Sequence, residues 1–472
     1  MLDYAVDHMS ASVSKKITLL ITAMAGFAAT FMLTAVNVAL PTIGNEFGTE
    51  AVMLGWVANA GILVSAIVLL PTGRLADIYG RKKVFLYGVL LSTVSSFLCA
   101  IANSSISLIA FRALQGISSG MAGGTAIAIL TSVFPIEERG KALGINIASV
   151  YLGLSLAPFL GGVLTQHLGW RSIFFFGALL GLVTTTLAFW NLKGEWAEAK
   201  GERFDIVGSI IFGISLLAMI YGFTILPTVP GIVLVLVGSS GMAAFTWWEA
   251  KVESPILNVA LFRKNTAFIF SNMATLVNYS ATYAVAFLLS LYLQYTKGFS
   301  PQTAGLILIT QPAVMAIIAP IAGRLSDRIE PQKVAAIGMA FGCLALLLFV
   351  FLNEATATWY ITGSLVIFGL GAGLFSSPNT NAVMSSVEKK FFGVASGTQA
   401  TMRSCGMTLS IGIVLILFSI YIGNAQITPE YYPAFLTTVK LGFTIFGALC
   451  FGGIFAQLAG RQIAGPAENN PG

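Results

Sequence analysis

Charged side chains are scarce in this chain. Asp, Glu, Lys and Arg make up only 9% of its 472 residues, whereas apolar residues make up 56%. Soluble domains are usually about a quarter charged. A water-soluble protein of this length needs more polar surface than this composition supplies, so the lipid bilayer is the solvent for most of the chain.

Several other features are missing, and each absence excludes a class of function. With two histidines, His8 and His167, and four cysteines that form no CxxC pattern, we expect no metal and no cofactor. The chain has no P-loop pattern GxxxxGK[ST], which argues against ATP-driven pumping, and no Ser/His/Asp or Cys/His constellation, so it is not expected to be an enzyme. Its polar segments are too short for the soluble regions of a receptor or scaffold. The net charge of +6 is no signal for nucleic acid, since its distribution has another use.

Long apolar runs recur along the whole sequence. A helix of about 20 apolar residues crosses the hydrocarbon core, and no alternating barrel strands are visible. Helices are therefore expected, because backbone groups in lipid must satisfy one another. The first run is too long for the apolar core of a signal peptide and is taken as a retained helix. The fourteen predicted spans lie near 17–43, 52–72, 84–103, 106–134, 143–166, 172–192, 205–226, 229–249, 267–294, 301–322, 334–353, 356–385, 394–423 and 435–459.

Lys and Arg concentrate in alternate loops. If the N-terminus is cytoplasmic, all but five of the 25 lie in inward loops. The exceptions are Arg171, Lys297 and Lys440 at outward ends, and Arg112 and Arg403 within spans. This asymmetry follows the positive-inside rule. It predicts a multi-pass protein of the plasma membrane with both termini in the cytoplasm.

A twelve-residue segment occurs twice. "GRLADIYGRKKV" (73–84) and "GRLSDRIEPQKV" (323–334) share six letters in the same positions. The first follows the second predicted span and the second follows the tenth. A simple duplication of six spans would have placed the second copy after span eight, so two extra spans lie between the halves.

The repeat predicts the domain organisation. Duplicated halves around an axis normal to the membrane are a transporter architecture, with the substrate site between the halves. Channels usually assemble from smaller chains, and respiratory subunits need His ligands that are absent here. The predicted regions are an N-terminal tail (1–16), a six-helix bundle (17–192), linkers with an inserted hairpin (193–265), a second six-helix bundle (266–460) and a C-terminal tail (461–472).

Several motifs together resemble a known family. "GRLADIYGRKK" resembles a loop motif of the major facilitator superfamily, and "RALQGISSG" resembles its fourth-helix motif, at Arg112, Gln115 and Gly116. "TAVNVALP" resembles its first-helix signature, which includes Asn37. "GLSLAPFLGG" resembles the helix-five motif of the antiporters, matching at Gly153, Ala157, Pro158, Gly161 and Gly162. The chain is identified as a member of the fourteen-helix drug:proton antiporter branch.

This resemblance implies an all-α major facilitator fold of two six-helix bundles plus a two-helix insert. It also implies a monomer that exports small amphiphilic compounds by alternating access, in exchange for protons. The helix-five motif would seal the two halves against leakage. Plain helix packing explains its glycines and Pro158 equally well.

The loop motif is expected to act in gating. Gly73 and Gly80 permit a tight turn and close helix approach. Asp77 can face a helix N-terminus, while Arg81 and Lys82 can pair with acids such as Glu137 and Glu138. These contacts would latch the halves on the cytoplasmic side. The second copy keeps Gly323, Asp327 and Lys333 but has Glu330 and Pro331 in place of Gly80 and Arg81, so Asp327 belongs to a weaker latch.

Polar residues within spans are candidates for the cavity and for coupling. Arg112 should face a wet cavity or a partner, because a guanidinium in lipid is costly. The alternative is that its side chain snorkels to the membrane interface. For Arg403, snorkelling and a functional role are equally good explanations. Asn37 and Gln115 complete this set. Further candidates for the cavity lining, each as easily a helix-packing residue, are Asn59, Asn146, Asn278, Tyr279, Tyr283, Gln311, Asn379 and Gln399.

The sequence departs from the family pattern at one position. The acidic residue that the family usually carries in the first helix is here Met32, and no Asp or Glu lies deep within a predicted span. A cavity with Arg112 and neutral polar groups suits neutral or anionic amphiphiles better than cations. A facilitator of an organic anion or neutral metabolite, without proton coupling, is therefore the alternative function.

Overall fold

The computed structural model describes residues 2–192, 194–197, 199–252, 254–257, 265–387, 392–423 and 425–462. Within these ranges it contains fourteen helices that are long and apolar enough to cross a bilayer, in agreement with the sequence. They are α1 (Leu2–Phe47), α2 (Ala51–Tyr79), α3 (Arg81–Ala100), α4 (Ser105–Val133), α5 (Ile136–Leu168), α6 (Arg171–Asn191), α7 (Ile206–Thr224), α8 (Val229–Glu249), α9 (Thr266–Thr296), α10 (Pro301–Ser326), α11 (Pro331–Val350), α12 (Thr358–Ser385), α13 (Phe392–Tyr421) and α14 (Tyr432–Gln462).

Polar caps set several of the helix starts. Ser104 and Ser107 form a reciprocal capping box before α4. The Asn265 side chain accepts a hydrogen bond from the Phe268 N–H at the start of α9, and Ser300 caps α10, whose first residue is Pro301. These side chains satisfy N–H groups that have no partner within the helix.

Two spans that the sequence predicts as continuous are interrupted. In α9, α-helical stretches run over Thr266–Thr282 and Ala284–Leu291 and are followed by one π turn, Tyr292–Thr296. In α10, the helix is divided into Pro301–Leu308 and Thr310–Ser326. A π turn changes the direction in which the following side chains point.

The packing pairs of the first six helices recur in the last six. In the first set, α1 packs on α5 and α6, α2 on α4, and α3 on α4 and α6. In the second set, α9 packs on α13 and α14, α10 on α12, and α11 on α12 and α14. Each helix number in the second set is larger by eight than the number of its counterpart in the first set. This offset is what two six-helix bundles with a two-helix insert, α7 and α8, must give.

Residue contacts divide the chain into two compact units. The first comprises Met1–Leu217, Ser290–Ile309 and Asn424–Gln426, and the second comprises Ala218–Leu289, Thr310–Gly423 and Ile427–Gly472. The first unit thus holds α1–α6 and the first part of α7, together with the end of α9 and the start of α10. Residues 290–309 are here called the 290–309 segment. The domain limits at 192, 265 and 460 remain a prediction.

The first unit has two ends that matter for function. The loop-motif end is where Gly80 separates α2 from α3, and the far end is where Gly48 follows α1. Near the loop-motif end, a buried apolar cluster joins α1, α3, α4 and α6 through Ile21, Phe85, Ile129 and Ala188.

In the second unit, aromatic rings and glycines join the helices. Phe349 of α11 packs on Phe443 of α14, with ring centroids 5.1 Å apart. Gly338 of α11 and Gly371 of α12 let their backbones meet, because a Cβ at either position would lie within 3 Å of the other helix.

Candidate functional site

Arg112 is buried inside the first bundle. Its side chain is 3% exposed. The guanidinium donates hydrogen bonds to the Val57 carbonyl of α2 (3.2 Å) and to the Gln115 Oε1 atom (2.7 Å). Gln115 in turn donates to Ser96 Oγ of α3 at 2.8 Å. The charge is therefore held among α2, α3 and α4.

Close helix approach makes the Arg112 contacts possible. A Cβ at Gly61 would lie 3.0 Å from the Arg112 carbonyl, and one at Gly116 would collide with the Gly61 carbonyl. The backbones of α2 and α4 therefore touch at this level, which brings the Val57 carbonyl within reach. Gly116, a residue of the fourth-helix motif, is explained by this contact.

Met32, which replaces the family's acidic residue, packs within the first bundle. It is 6% exposed, and its sulfur lies where a side chain at Gly177 of α6 would be. The position thus faces α6. A thioether suits this apolar contact, whereas an ionised carboxylate there would need a partner.

Gly80 forms the corner of the loop motif. It is the single residue between α2 and α3, and its φ of +118° favours glycine. The Arg81 guanidinium pairs with the Asp77 carboxylate one turn earlier at 2.8 Å and donates to Ser132 Oγ of α4 at 2.9 Å. The motif therefore ties α2, α3 and α4 together.

Other expectations for the loop motif are changed by the structure. Nothing lies within 4 Å of a Cβ built at Gly73, so this glycine is not needed for close helix approach. Glu138 pairs with Lys15 of α1 at 3.2 Å rather than with Arg81 or Lys82. The side chain of Glu137 lies outside the described residues. Lys82 contacts an acid through its backbone N–H, which donates to Glu195 Oε1 at 2.9 Å.

The second copy of the motif, in the second unit, makes different contacts. The Asp327 side chain is exposed. Glu330 pairs with Lys333 within the same turn at 3.4 Å, and Asn381 of α12 donates to Ser326 Oγ at 3.0 Å. That Asp327 belongs to a weaker latch remains a prediction.

The helix-five motif forms close backbone contacts on two sides. At Gly153 and Gly161 a Cβ would meet α1, at Phe27 and Ala35 respectively. At Gly162 a Cβ would meet the backbone of Pro301, and a Cβ at Gly305 would meet the carbonyl of Pro158. Ala157 is fully buried. The motif therefore packs α5 against both α1 and the 290–309 segment.

Hydrogen bonds join the 290–309 segment to α1 at the far end. Pro41 has no N–H, so the carbonyl of Asn37 lacks its usual partner four residues later. Ser290 Oγ donates to this carbonyl at 2.7 Å, and Gln294 Nε2 donates to the Val38 carbonyl at 2.9 Å. Asn37, expected in the cavity lining, thus acts here through its backbone. We call these two donors and two carbonyls the far-end clasp.

The chain matches the family model of the Major Facilitator Superfamily over residues 22–411 and, in a second match, 271–462. The chain belongs to this superfamily. Its fourteen helices, in two related sets of six plus an insert, have the fold that membership implies. Members of the superfamily are membrane transporters and not enzymes, as the sequence predicts.

Similar proteins from this superfamily include transporters with different named substrates. The chain is 30% identical to the riboflavin transporter RibZ of Clostridioides difficile, over 93% of this chain and 96% of the relative. It is 30% identical to the multidrug resistance protein Stp of Mycobacterium tuberculosis, over 80% of this chain and 71% of the relative. It is 25% identical to the tetracenomycin C resistance and export protein of Streptomyces glaucescens, over 83% and 73%.

The remaining candidates of this superfamily member are spread over both units. Arg403 on α13 is exposed. Among the polar lining candidates, Asn146 is 6% exposed and Asn278 is 8% exposed. Asn379 is buried and donates to Thr275 Oγ1 at 2.7 Å, and Gln399 donates to Thr380 Oγ1 at 3.1 Å. Several of these side chains therefore join helices within one bundle.

Sequence reasoning missed the residues of the 290–309 segment. Ser290 and Gln294 are polar, four residues apart, in the apolar stretch "FLLSLYLQY". That spacing places them on one helical face and was a usable signal. Glu195 was also missed, because the sequence predicts only that it lies in the linker at the start of the region 193–265.

Proposed function

We propose that the chain is a secondary active exporter of amphiphilic compounds that works by alternating access and exchanges them for protons. In the orientation that the Lys and Arg distribution predicts, it lies in the plasma membrane with both termini in the cytoplasm. The loop-motif end is then the inner end and the far end is the outer end. No oligomeric contact is required, and we propose a monomer.

The far-end clasp is the observation that carries this proposal. Its donors are short neutral side chains, Ser290 and Gln294, and its acceptors are backbone carbonyls of α1. A neutral hydrogen bond contributes only about 0.5–1.5 kcal/mol net, so such a clasp can open and reform during a cycle. The glycines of the helix-five motif let the 290–309 segment pack closely on α5, next to the far-end clasp.

The substrate class is supported by the relatives and by the distribution of charge. Two of the three relatives named above are described as resistance or export proteins, which supports efflux of foreign compounds. The acidic residues Asp77, Glu138 and Glu249 lie within four residues of the ends of their candidate spans. None of these three carboxylates is therefore placed in the middle of a span, where it could bind a cationic substrate. We therefore propose neutral or anionic amphiphiles as preferred substrates.

Proton antiport is supported by the resemblance to the antiporter branch. The chain must then couple protons without the first-helix acid, since Met32 is apolar and packs on α6. Titratable groups near span ends, or on the substrate itself, are the remaining carriers of the proton.

A second candidate is transport of a heterocyclic metabolite without proton coupling. The specific support is the likeness to RibZ, which extends over almost the whole of both chains. The lack of a carboxylate at position 32 also favours this alternative.

Transport in proteoliposomes with an imposed pH gradient separates the two candidates. The panel is a cationic dye, a neutral amphiphile, an anionic amphiphile and riboflavin, each with and without a protonophore. We expect gradient-dependent movement of the neutral or anionic compound that the protonophore abolishes. Riboflavin movement that ignores the gradient supports the second candidate. Proton flux strictly linked to the cationic dye would contradict the proposed substrate class.

A further inference from the structure

The linker after α6 lies on the loop motif. Residues 194–197 and 199–202 return to the corner between α2 and α3 and contact it at four places, all within the first unit. We call the residues that make these contacts, Glu195, Trp196, Ala199 and Glu202, the strap. None of them was expected from the sequence to contact the motif.

The strap caps the start of α3. The first N–H groups of a helix have no partner within it. The Arg81 N–H donates to the Trp196 carbonyl at 2.8 Å, and the Lys82 N–H donates to Glu195 Oε1 at 2.9 Å. The negative carboxylate of Glu195 also suits the positive end of the α3 dipole.

The strap also caps the end of α2. Carbonyls in the last turn of a helix lack partners in the same way. The Ala199 N–H donates to the Asp77 carbonyl at 2.9 Å. Glu202 forms an ion pair with Arg74 one turn earlier. The strap therefore supplies partners to both helices that meet at Gly80.

Gly80 is required by the strap as well as by its own backbone angle. A Cβ at this position would collide with the Glu195 carboxylate. The Trp196 ring packs on the apolar cluster that includes Ile21 and Phe85. The strap is thus anchored on one side by an apolar contact and on the other by hydrogen bonds.

The second copy of the motif, in the second unit, has a different helix start. Pro331 is the first residue of α11 and has no N–H to satisfy. The Lys333 N–H donates to the Glu330 carbonyl at 3.0 Å, and their side chains also pair. Pro331, at the position of Arg81, therefore removes the N–H that the first copy pairs with the Trp196 carbonyl of the strap.

We propose that the strap is a conformational part of the loop-motif gate, with Glu195 as its positioning residue. The strap holds Asp77 and Arg81 in the arrangement in which they bond to each other and to Ser132. The linker continues to Asp205, which caps α7 through the Gly208 N–H, so the strap leads directly into the start of α7. The part of this inference that concerns gating rests on the proposed transport cycle.

Hydrogen–deuterium exchange of the full-length protein in nanodiscs tests the strap without any substrate. In Glu195→Ala we expect exchange at the Arg81 and Lys82 amides to rise by about fivefold, the factor expected for loss of a capping group. Glu195→Gln keeps an acceptor and should lie between Glu195→Ala and the wild type. The matched control is Glu330→Ala, which should leave the start of α3 unchanged. Glu202→Ala, which removes the ion pair with Arg74, serves as a second variant should Glu195→Ala fail to fold.

The same variants in proteoliposomes test the role in gating, with riboflavin and an anionic amphiphile as probes. We expect Glu195→Ala to lower the maximal rate severalfold at an unchanged half-saturating concentration, because a conformational step is altered and not binding. Unchanged exchange at Arg81 and Lys82 in Glu195→Ala overturns the proposal that the strap holds the start of α3. Raised exchange with an unchanged rate overturns its part in the gate. A wild type that moves neither probe overturns the proposed function, and the exchange comparison still decides the strap.

Discussion

At the scale of single residues, Arg112 shows how a charge is kept in an apolar chain. The sequence indicates that an arginine in a span needs a partner or a wet cavity. The structure supplies a backbone carbonyl from α2 and a neutral amide, Gln115, which is itself held by Ser96. The i, i+3 spacing of Arg112 and Gln115 was visible in the sequence, but the carbonyl of Val57 was not.

The fork of the guanidinium is needed for this network. Arg112→Lys retains the charge but cannot reach both Val57 and Gln115 with the same geometry. We expect the variant to lose about 1.5–3 kcal/mol of stability, the range for a hydrogen bond to a charged group. A thermal unfolding assay in detergent measures the change. Arg139→Lys is the control, since Arg139 is less buried and donates to the carbonyl of Phe134, which lies only five residues earlier in the chain. Equal losses in the two variants would contradict the special role of Arg112.

At the scale of elements, a proline creates the acceptor of the far-end clasp. Pro41 within α1 removes the donor for the Asn37 carbonyl, and Ser290 of α9 replaces that donor. The π turn that follows places Gln294 beside it. The carbonyl that Pro41 leaves without a backbone donor is thus paired with a side chain that lies 253 residues away in the chain.

This pairing predicts that Pro41 and Ser290 are energetically coupled. Ser290→Ala should cost about 1 kcal/mol of stability, because it leaves a buried carbonyl unpaired. In a Pro41→Ala background the new N–H can serve that carbonyl, so Ser290→Ala should then have little effect. A double-mutant cycle by thermal unfolding measures the coupling.

Pro71 provides the control for this cycle. It lies within α2, so Pro71→Ala should leave the effect of Ser290→Ala unchanged. Additive effects of Pro41→Ala and Ser290→Ala would rule out the shared carbonyl.

At the scale of the whole molecule, the even number of spans and the asymmetry of Lys and Arg predict the topology. If each of the fourteen candidate spans among the described residues crosses the bilayer, the two termini lie on the same side, and the positive-inside rule predicts that this side is cytoplasmic. The offset of eight between the two sets of packing pairs supports this count independently.

The topology can be measured with terminal tags. A tag on either terminus should be cleaved by added protease in inverted membrane vesicles and protected in intact spheroplasts. A cysteine introduced at Gly140, where a Cβ meets nothing within 4 Å, lies between the fourth and fifth predicted spans and provides an internal marker for the same side, read by a membrane-impermeant thiol reagent. Tags that are cleaved from opposite sides would contradict the count of spans, and tags cleaved only in spheroplasts would contradict the orientation.

The sequence by itself determined the class, the number of spans, the duplication and the insert. These properties depend on the length of apolar runs, on loop charge and on a repeated segment, and all three can be recognised without knowing which helices pack together. The tertiary structure alone decided that Met32 faces α6, that Ser290 takes the carbonyl freed by Pro41, and that Glu195 caps α3. Each of these contacts joins residues more than 100 positions apart. Such contacts depend on which helix faces pack together, and the apolar pattern fixes that choice poorly because lipid-facing and protein-facing surfaces are both apolar.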